Sequence, residues 1–183
     1  IEEITGCRTF CEHAAGSPYA PQKFFYPGSD LFDRFRNRII FPICDRSGRV
    51  IAFGGRAMDA DAQAKYLNSP ETPLFHKGAT LYNLHNARKS AHETGSIIAV
   101  EGYIDVIALT TAGLPHVVAP LGTALTPEQC LLLWRMADEP ILCFDGDKAG
   151  KEAVSKYAAM FKELLPSVKI SNVEPPEGDD INS

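Results

Sequence analysis

The sequence predicts an α/β fold whose second half is a parallel sheet flanked by helices. Three observations lead there. Short strand-like runs, headed by the continuous apolar Ile97-Ile98-Ala99-Val100, recur at 116–119, 140–144 and 168–173, as in strands buried on both faces. Stretches of helical length separate them, punctuated by Gly113, Pro127 and Pro166. Strand and helix alternating in this order imply parallel pairing with helices on both faces.

Each element has its own local reason. Residues 1–30 are broken by Gly16, Pro18, Pro21, Pro27 and Gly28 and read mostly as loop. Ile39–Cys44 and Val50–Phe53 are apolar runs on either side of Asp45-Arg46-Ser47-Gly48, which has turn chemistry, so a β-hairpin is expected. Residues 59–78 are polar and interrupted by Pro70, Pro73 and Gly78, the composition of an ordered loop with little regular structure. A helix is expected over Ala79–Glu93. The first parallel strand, 97–100, follows, then a helix over Tyr103–Ala112 and a strand over His116–Ala119. Thr126-Pro127 supplies a capping threonine with proline at the first helical position, for a helix running to about Ala137. Pro140–Phe144 is a third strand, Lys148–Leu165 a long helix, and Val168–Val173 a fourth strand. Trp134 and Leu131, Leu132 and Leu133 are expected in the core beneath the sheet.

Composition narrows the function class. The chain has 183 residues, 45% hydrophobic and 22% charged, an ordinary globular balance without an 18-residue apolar run. It begins Ile1-Glu2-Glu3 and reads as a piece of a longer protein. Five cysteines and no signal peptide suggest reduced thiols in the cytoplasm. Cys7, Cys11 and His13 lack the further ligands a zinc site needs, so no zinc is expected. The net charge of −5 hides an asymmetry. Residues 34–89 carry ten basic and four acidic side chains, whereas residues 101–183 carry six basic and thirteen acidic ones. A basic segment beside an acidic one suits a surface that tracks phosphates next to a cluster of metal-binding carboxylates.

The chemistry lies where two predicted strands end. Ile97–Val100 runs into Glu101-Gly102-Tyr103-Ile104-Asp105, and Ile141–Phe144 into Asp145-Gly146-Asp147. Ligands of parallel sheets bind at the carboxyl ends of the strands. If the two strands are neighbours, Glu101, Asp145 and Asp147 converge, and three carboxylates together call for a cation. Oxygen ligands without histidine or thiolate favour Mg²⁺ or Mn²⁺. Few protein ligands leave coordination positions for phosphate and water. Asp105, one helical turn after Glu101, is an outer candidate.

These residues resemble the TOPRIM fold, the catalytic module of DnaG-type primases, topoisomerases and some nucleases. The basic half narrows the choice. Asp33–Ile43, Gly48–Arg56 and Lys65–Gly78 resemble the motifs that precede the TOPRIM module in bacterial primases, and the resemblance covers residues 33–182. It implies a smaller mixed α+β basic subdomain over 1–95 and a TOPRIM domain over 96–183, truncated at its carboxy end. It also implies synthesis of RNA primers from ribonucleoside triphosphates on single-stranded DNA in the bacterial cytoplasm at the replication fork. The replicative helicase would bind through a domain absent here.

By the same resemblance, Asp145 and Asp147 hold Mg²⁺ against the incoming triphosphate. Glu101 holds the catalytic ion or accepts the proton of the attacking 3′-hydroxyl. Asp105 and Asp180 complete the metal cluster, although Asn182 stands where the family has an acid. Arg36, Arg38, Arg56, Lys65, Asn68, Ser69 and Lys77 are the implied nucleic-acid and nucleotide contacts. Tyr103 is open between stacking on a base and covering the sheet. The rivals are another TOPRIM enzyme (a primase–helicase, nuclease or topoisomerase fragment), a phosphatase with an Asp-x-Asp nucleophile motif, and a non-catalytic binding module.

Overall fold

A computed structural model describes residues 34–122, 124–145, 147–164, 169 and 171–173. The expected hairpin is present: β1 (Arg38–Cys44) pairs antiparallel with β2 (Val50–Ala57). Its turn is held by the Asp45 carboxylate, which accepts the N–H groups of Ser47 at 2.8 Å and Arg49 at 3.0 Å. Gly48 turns the chain at φ +83° with the His85 ring packed against it.

The 59–78 stretch contains a strand that its local sequence hides. β3 (Tyr66–Asn68) pairs antiparallel with Gly54–Arg56 of β2. A three-residue strand flanked by polar residues has no periodicity of its own, and the β2 edge supplies its hydrogen bonds. The resulting sheet has the order β1-β2-β3.

The helix expected from Ala79 starts later, as α1 (Leu84–Thr94). The residues before it are otherwise engaged. Lys77–Ala79 form a 3₁₀ turn, Tyr82 bridges to Ala119, and Asn83 adopts φ 65°, incompatible with continuing a helix. The fully buried Gln129 fastens this segment from below. Its Nε2 donates to the carbonyls of Lys77 and Thr80, both at 2.8 Å, and its Oε1 accepts from the Thr126 N–H.

The second half alternates as expected: β4 (Ile98–Ala99), α2 (Tyr103–Thr111), β5 (Val117–Val118), α3 (Pro127–Trp134), β6 (Ile141–Cys143), α4 (Lys148–Leu164) and β7 (Ser171–Val173). The strands form a parallel sheet in the order β5-β4-β6-β7. Alternation along the strands sends side chains to two faces. On one, Ala99, Val118 and Leu142 pack with α1, α3 and α4 through Leu84, Ala87, Leu133, Tyr157 and Phe161. On the other, Ile98, Val100 and Val117 meet Val106 and Leu109 of α2. Thus α1, although it precedes residue 96, shares the core of the parallel sheet. Trp134 departs from expectation: at the last turn of α3 it is 39% exposed, while Leu132 and Leu133 are buried.

A third cluster joins the two sheets. Phe41, Ile43 and Ala52 from the hairpin bury against Phe75, Tyr103 and Leu121. Removing such large side chains from water stabilises by roughly 2 kcal/mol each. This join fixes where the basic strands stand relative to the carboxyl ends of β4 and β6.

Candidate active site

Parallel pairing aligns Ile98 with Ile141 and Ala99 with Leu142. Glu101 and Asp145 therefore emerge side by side at the carboxyl edge of adjacent strands. The Asp145 N–H donates to Glu101 Oε1 at 3.2 Å. Asp147 sits at the start of α4, where its Oδ1 accepts the Gly150 N–H at 2.7 Å and its carbonyl accepts from Lys151. Asp147 thus stands at the positive end of a long helix, which favours negative charge there. Asp105 is buried at 7% exposure, and its Oδ2 accepts the Gly102 N–H at 2.7 Å.

The electrostatics record the crowding. Burial against the sheet edge raises the Glu101 carboxyl above the ordinary glutamate range; the Asp145 N–H partly offsets this, and the charges of Asp145, Asp105 and Asp147 raise it further. The thiol of Cys143 is likewise pushed up by burial and then by Asp105 and Asp145. A cation among these groups favours the ionised carboxylates, whereas protons compete with it for Glu101. Among the described residues no three acidic, histidine or cysteine side chains are grouped closely enough to hold a metal ion by themselves. Glu101 and Asp147 each accept one backbone N–H, which leaves a second carboxylate oxygen on each. The all-oxygen chemistry of these acids fits a hard divalent ion whose shell is completed by water and phosphate. Asp180 and Asn182 lie outside the described residues, as do Gly146 and residues 1–33.

The basic side chains gather on the first sheet. Ile43, Phe41 and Ile39 lie on one face of β1, and burial falls along them towards Ile39, which is 51% exposed. Opposite Ile39 stands Arg56, and opposite Arg56 stands Tyr66. The buried face therefore opens at this end into a rim of Arg56 and Tyr66, with the guanidinium 5.8 Å from the ring centroid. Tyr66 is 40% exposed and its ring centroid is 6.3 Å from that of Tyr103. Arg36 and Lys65 are exposed, and Lys77 is half-buried. Arg38 donates to the carbonyls of Gly55 and Lys65, both at 3.4 Å. Among the described residues none of Arg36, Arg38, Arg56, Lys65 and Lys77 has an acid within ion-pair distance, whereas Arg49 is paired with Asp45 at 2.7 Å.

Two predicted contact residues are engaged inside the molecule. Ser69 Oγ accepts the Phe53 N–H at 2.9 Å. Asn68 Oδ1 accepts the Tyr103 hydroxyl at 2.7 Å, and its Nδ2 donates to the Leu121 carbonyl at 2.8 Å. The open question about Tyr103 resolves towards packing: it is 4% exposed, stacked on Phe41 at 4.7 Å and edge-on to Tyr82. Burial raises its hydroxyl well above the usual tyrosine range, so it remains a donor. The exposed aromatic that sequence reasoning passed over is Tyr66. Its signal was position, between Lys65 and Asn68 in a basic motif. Among the described residues no helix is long and apolar enough to cross a membrane.

Comparison with known proteins follows the same division. The family described as DNA primase catalytic core, N-terminal domain, matches residues 23–88, and the Toprim-like family matches residues 98–183. A DNA primase of Pseudomonas putida is 48% identical over 153 residues, and one of Neisseria meningitidis is 50% identical over 138. These matches cover 83% and 75% of the chain, and each spans 23% of the relative's length. Among solved structures, the E. coli primase catalytic core superposes with a TM-score of 0.81 at 37% identity, covering 93% of this chain and 57% of that one. A DnaG primase catalytic domain bound to single-stranded DNA superposes at 0.80 with 37% identity and the same coverage.

Proposed function

The chain belongs to the catalytic core of the bacterial DnaG-type primases, and on that premise we propose that it synthesises RNA primers on single-stranded DNA by divalent-metal-dependent nucleotidyl transfer. The observation that carries the reading is that Glu101 and Asp145 emerge side by side from adjacent strands, with the Asp147 charge acting on the Glu101 carboxyl.

Glu101, Asp145 and Asp147, with Asp105 and Asp180 outside them, are the proposed holders of Mg²⁺ or Mn²⁺. When bound, the ion neutralises triphosphate charge and lowers the pKa of a coordinated hydroxyl. The residues themselves orient and stabilise. Asp147, held by the N–H of Gly150, presents its second oxygen from a fixed position. Glu101 either completes the ligand set or takes the proton from the attacking 3′-hydroxyl, a role its raised carboxyl suits. Arg36, Arg38, Arg56, Lys65 and Lys77 hold template or triphosphate phosphates, the arginines in bidentate fashion. Tyr66, exposed beside Arg56, offers an aromatic face for a nucleobase. The wider partners proposed are ribonucleoside triphosphates, the RNA primer and, through parts beyond this chain, the replicative helicase. The setting proposed is the bacterial cytoplasm.

The deciding experiment gives the full-length protein a single-stranded template, ribonucleotides and Mg²⁺. Short RNA is expected; cleavage or relaxation of DNA without ribonucleotide incorporation would move the chain to another branch of the fold. A second expectation concerns salt. Five phosphate contacts at about 0.7 each for a single strand give a slope near −3.5 for log affinity against log salt. Replacing Lys65 by alanine flattens it by about 0.7. A slope near zero in a fluorescence-anisotropy titration removes the basic strip from template binding.

A further inference from the structure

We propose that Tyr103 and Asn68 form a latch that sets the distance between strand β3, which directly follows the proposed phosphate contact Lys65, and the carboxylates, both acting as positioning residues. The inference deepens the reading above and rests on it. Tyr103 lies two residues after Glu101, in the first turn of α2. Leu121 lies in the loop after β5, the strand beside β4. Through its two hydrogen bonds, to the Tyr103 hydroxyl and the Leu121 carbonyl, the Asn68 amide ties β3 to the segments that follow β4 and β5.

Both ends of the latch are anchored. The Tyr103 ring is stacked on Phe41 and edge-on to Tyr82. Its hydroxyl lies against Gly54 of β2, where an added Cβ would collide with it. On the other side, the Asn68 carbonyl accepts Arg34 Nη2 at 3.2 Å, and the strand itself is paired with Gly54–Arg56. An amide committed in this way has one N–H left for any ligand. Its contribution is therefore geometric: it fixes Lys65 and Tyr66 relative to Glu101. Misplacement by about 1 Å between groups that must meet in the transition state costs up to about 10²-fold in rate.

The test measures primer synthesis by full-length protein carrying Tyr103→Phe, Asn68→Ala or both. Each single variant is expected to lower kcat about tenfold. The double variant is expected to lose no more than Asn68→Ala alone, because that variant already removes the bond that Tyr103→Phe removes, together with the bond to the Leu121 carbonyl. Affinity for single-stranded DNA, its salt slope and Mn²⁺ affinity stay at parental values. Tyr103→Phe keeps the ring stack, so its melting temperature stays close to the parent's; if it drops, Asn68→Ala carries the test from the other side. Unchanged kcat or additive losses overturn the latch. Weaker DNA binding by Asn68→Ala alone overturns it too, by returning Asn68 to direct template contact. Lys65→Ala separates the two levels. If it alters neither DNA affinity nor rate, the reading of β3 fails and the latch falls with it. If it is impaired while Tyr103→Phe is normal, the latch alone fails.

Discussion

Asp145→Ala is expected to reduce primer synthesis by about 10³-fold or more, the loss met when a group stabilising transition-state charge is removed, while single-stranded DNA binds with nearly parental affinity. The reason lies in the division of labour between the two sheets. Asp145 follows β6 in the acidic half, and the basic candidates for phosphate contact lie on or beside β1–β3, from Arg36 to Lys77. Stability is expected to move against activity. The charge of Asp145 helps to raise the Glu101 carboxyl. A carboxyl raised in the folded state disfavours folding once pH exceeds its unfolded pKa, because the folded protein must then hold an unfavourable charge. Removing Asp145 relieves part of this at neutral pH. The N–H that donates to Glu101 belongs to the backbone and survives the substitution. Without cation, the variant should melt at or above the parental temperature. With Mg²⁺, the parent should gain stability by linkage and the variant should gain little. Primer synthesis and thermal melting with and without Mg²⁺ measure both sides. Normal synthesis by the variant would remove Asp145 from the catalytic centre.

What the sequence made legible was whatever depends on neighbours along the chain. Asp45-Arg46-Ser47-Gly48 specifies its turn through side-chain and glycine chemistry within five residues, and the hairpin formed as read. Thr126, Pro127 and Gln129 write the start of α3 in the same local way. The convergence of Glu101 with Asp145 needed only the inference that their strands are adjacent. Elements that depend on distant partners were hidden. β3 exists because β2 offers an edge, and α1 starts late because Gln129 and Ala119 claim the backbone before it. Asn68 and Ser69 stand inside a recognisable basic motif, which suggested ligand contact. Their side chains also meet Tyr103, Leu121 and Phe53, partners no local pattern announces. Tyr103 was ambiguous for the same reason: an aromatic after Glu-Gly covers a sheet or a base equally well until the hairpin stacked on it is known.

Gly150→Ala is expected to lower activity about 10²-fold and to cost about 1–3 kcal/mol of stability, against the direction that helix propensity predicts. Gly150 lies in the first turn of α4 and does not have positive φ, so the position asks for no special backbone freedom. On propensity alone, alanine would stabilise the helix by up to about 1 kcal/mol. Space decides otherwise. A Cβ built on Gly150 would fall on the carbonyl oxygen of Asp145, inside any tolerable contact, with the carbonyl carbon at 3.0 Å and the amide nitrogen at 3.2 Å. These are backbone atoms and cannot rotate aside as a side chain can. Either the first turn of α4 lifts, moving Asp147 and the N–H that holds it, or the end of β6 retreats, moving Asp145 and its bond to Glu101. Both routes separate the acids proposed to share a cation. A shift in Mn²⁺ affinity should accompany the fall in rate, while DNA affinity, which is proposed to rest on the other sheet, should hold. The glycine in Asp145-Gly146-Asp147-Lys148-Ala149-Gly150 is thus read as room for the backbone of the first acid. A Gly150→Ala protein that melts higher and synthesises primers normally would show that propensity prevails and that the carboxylate edge tolerates the displacement.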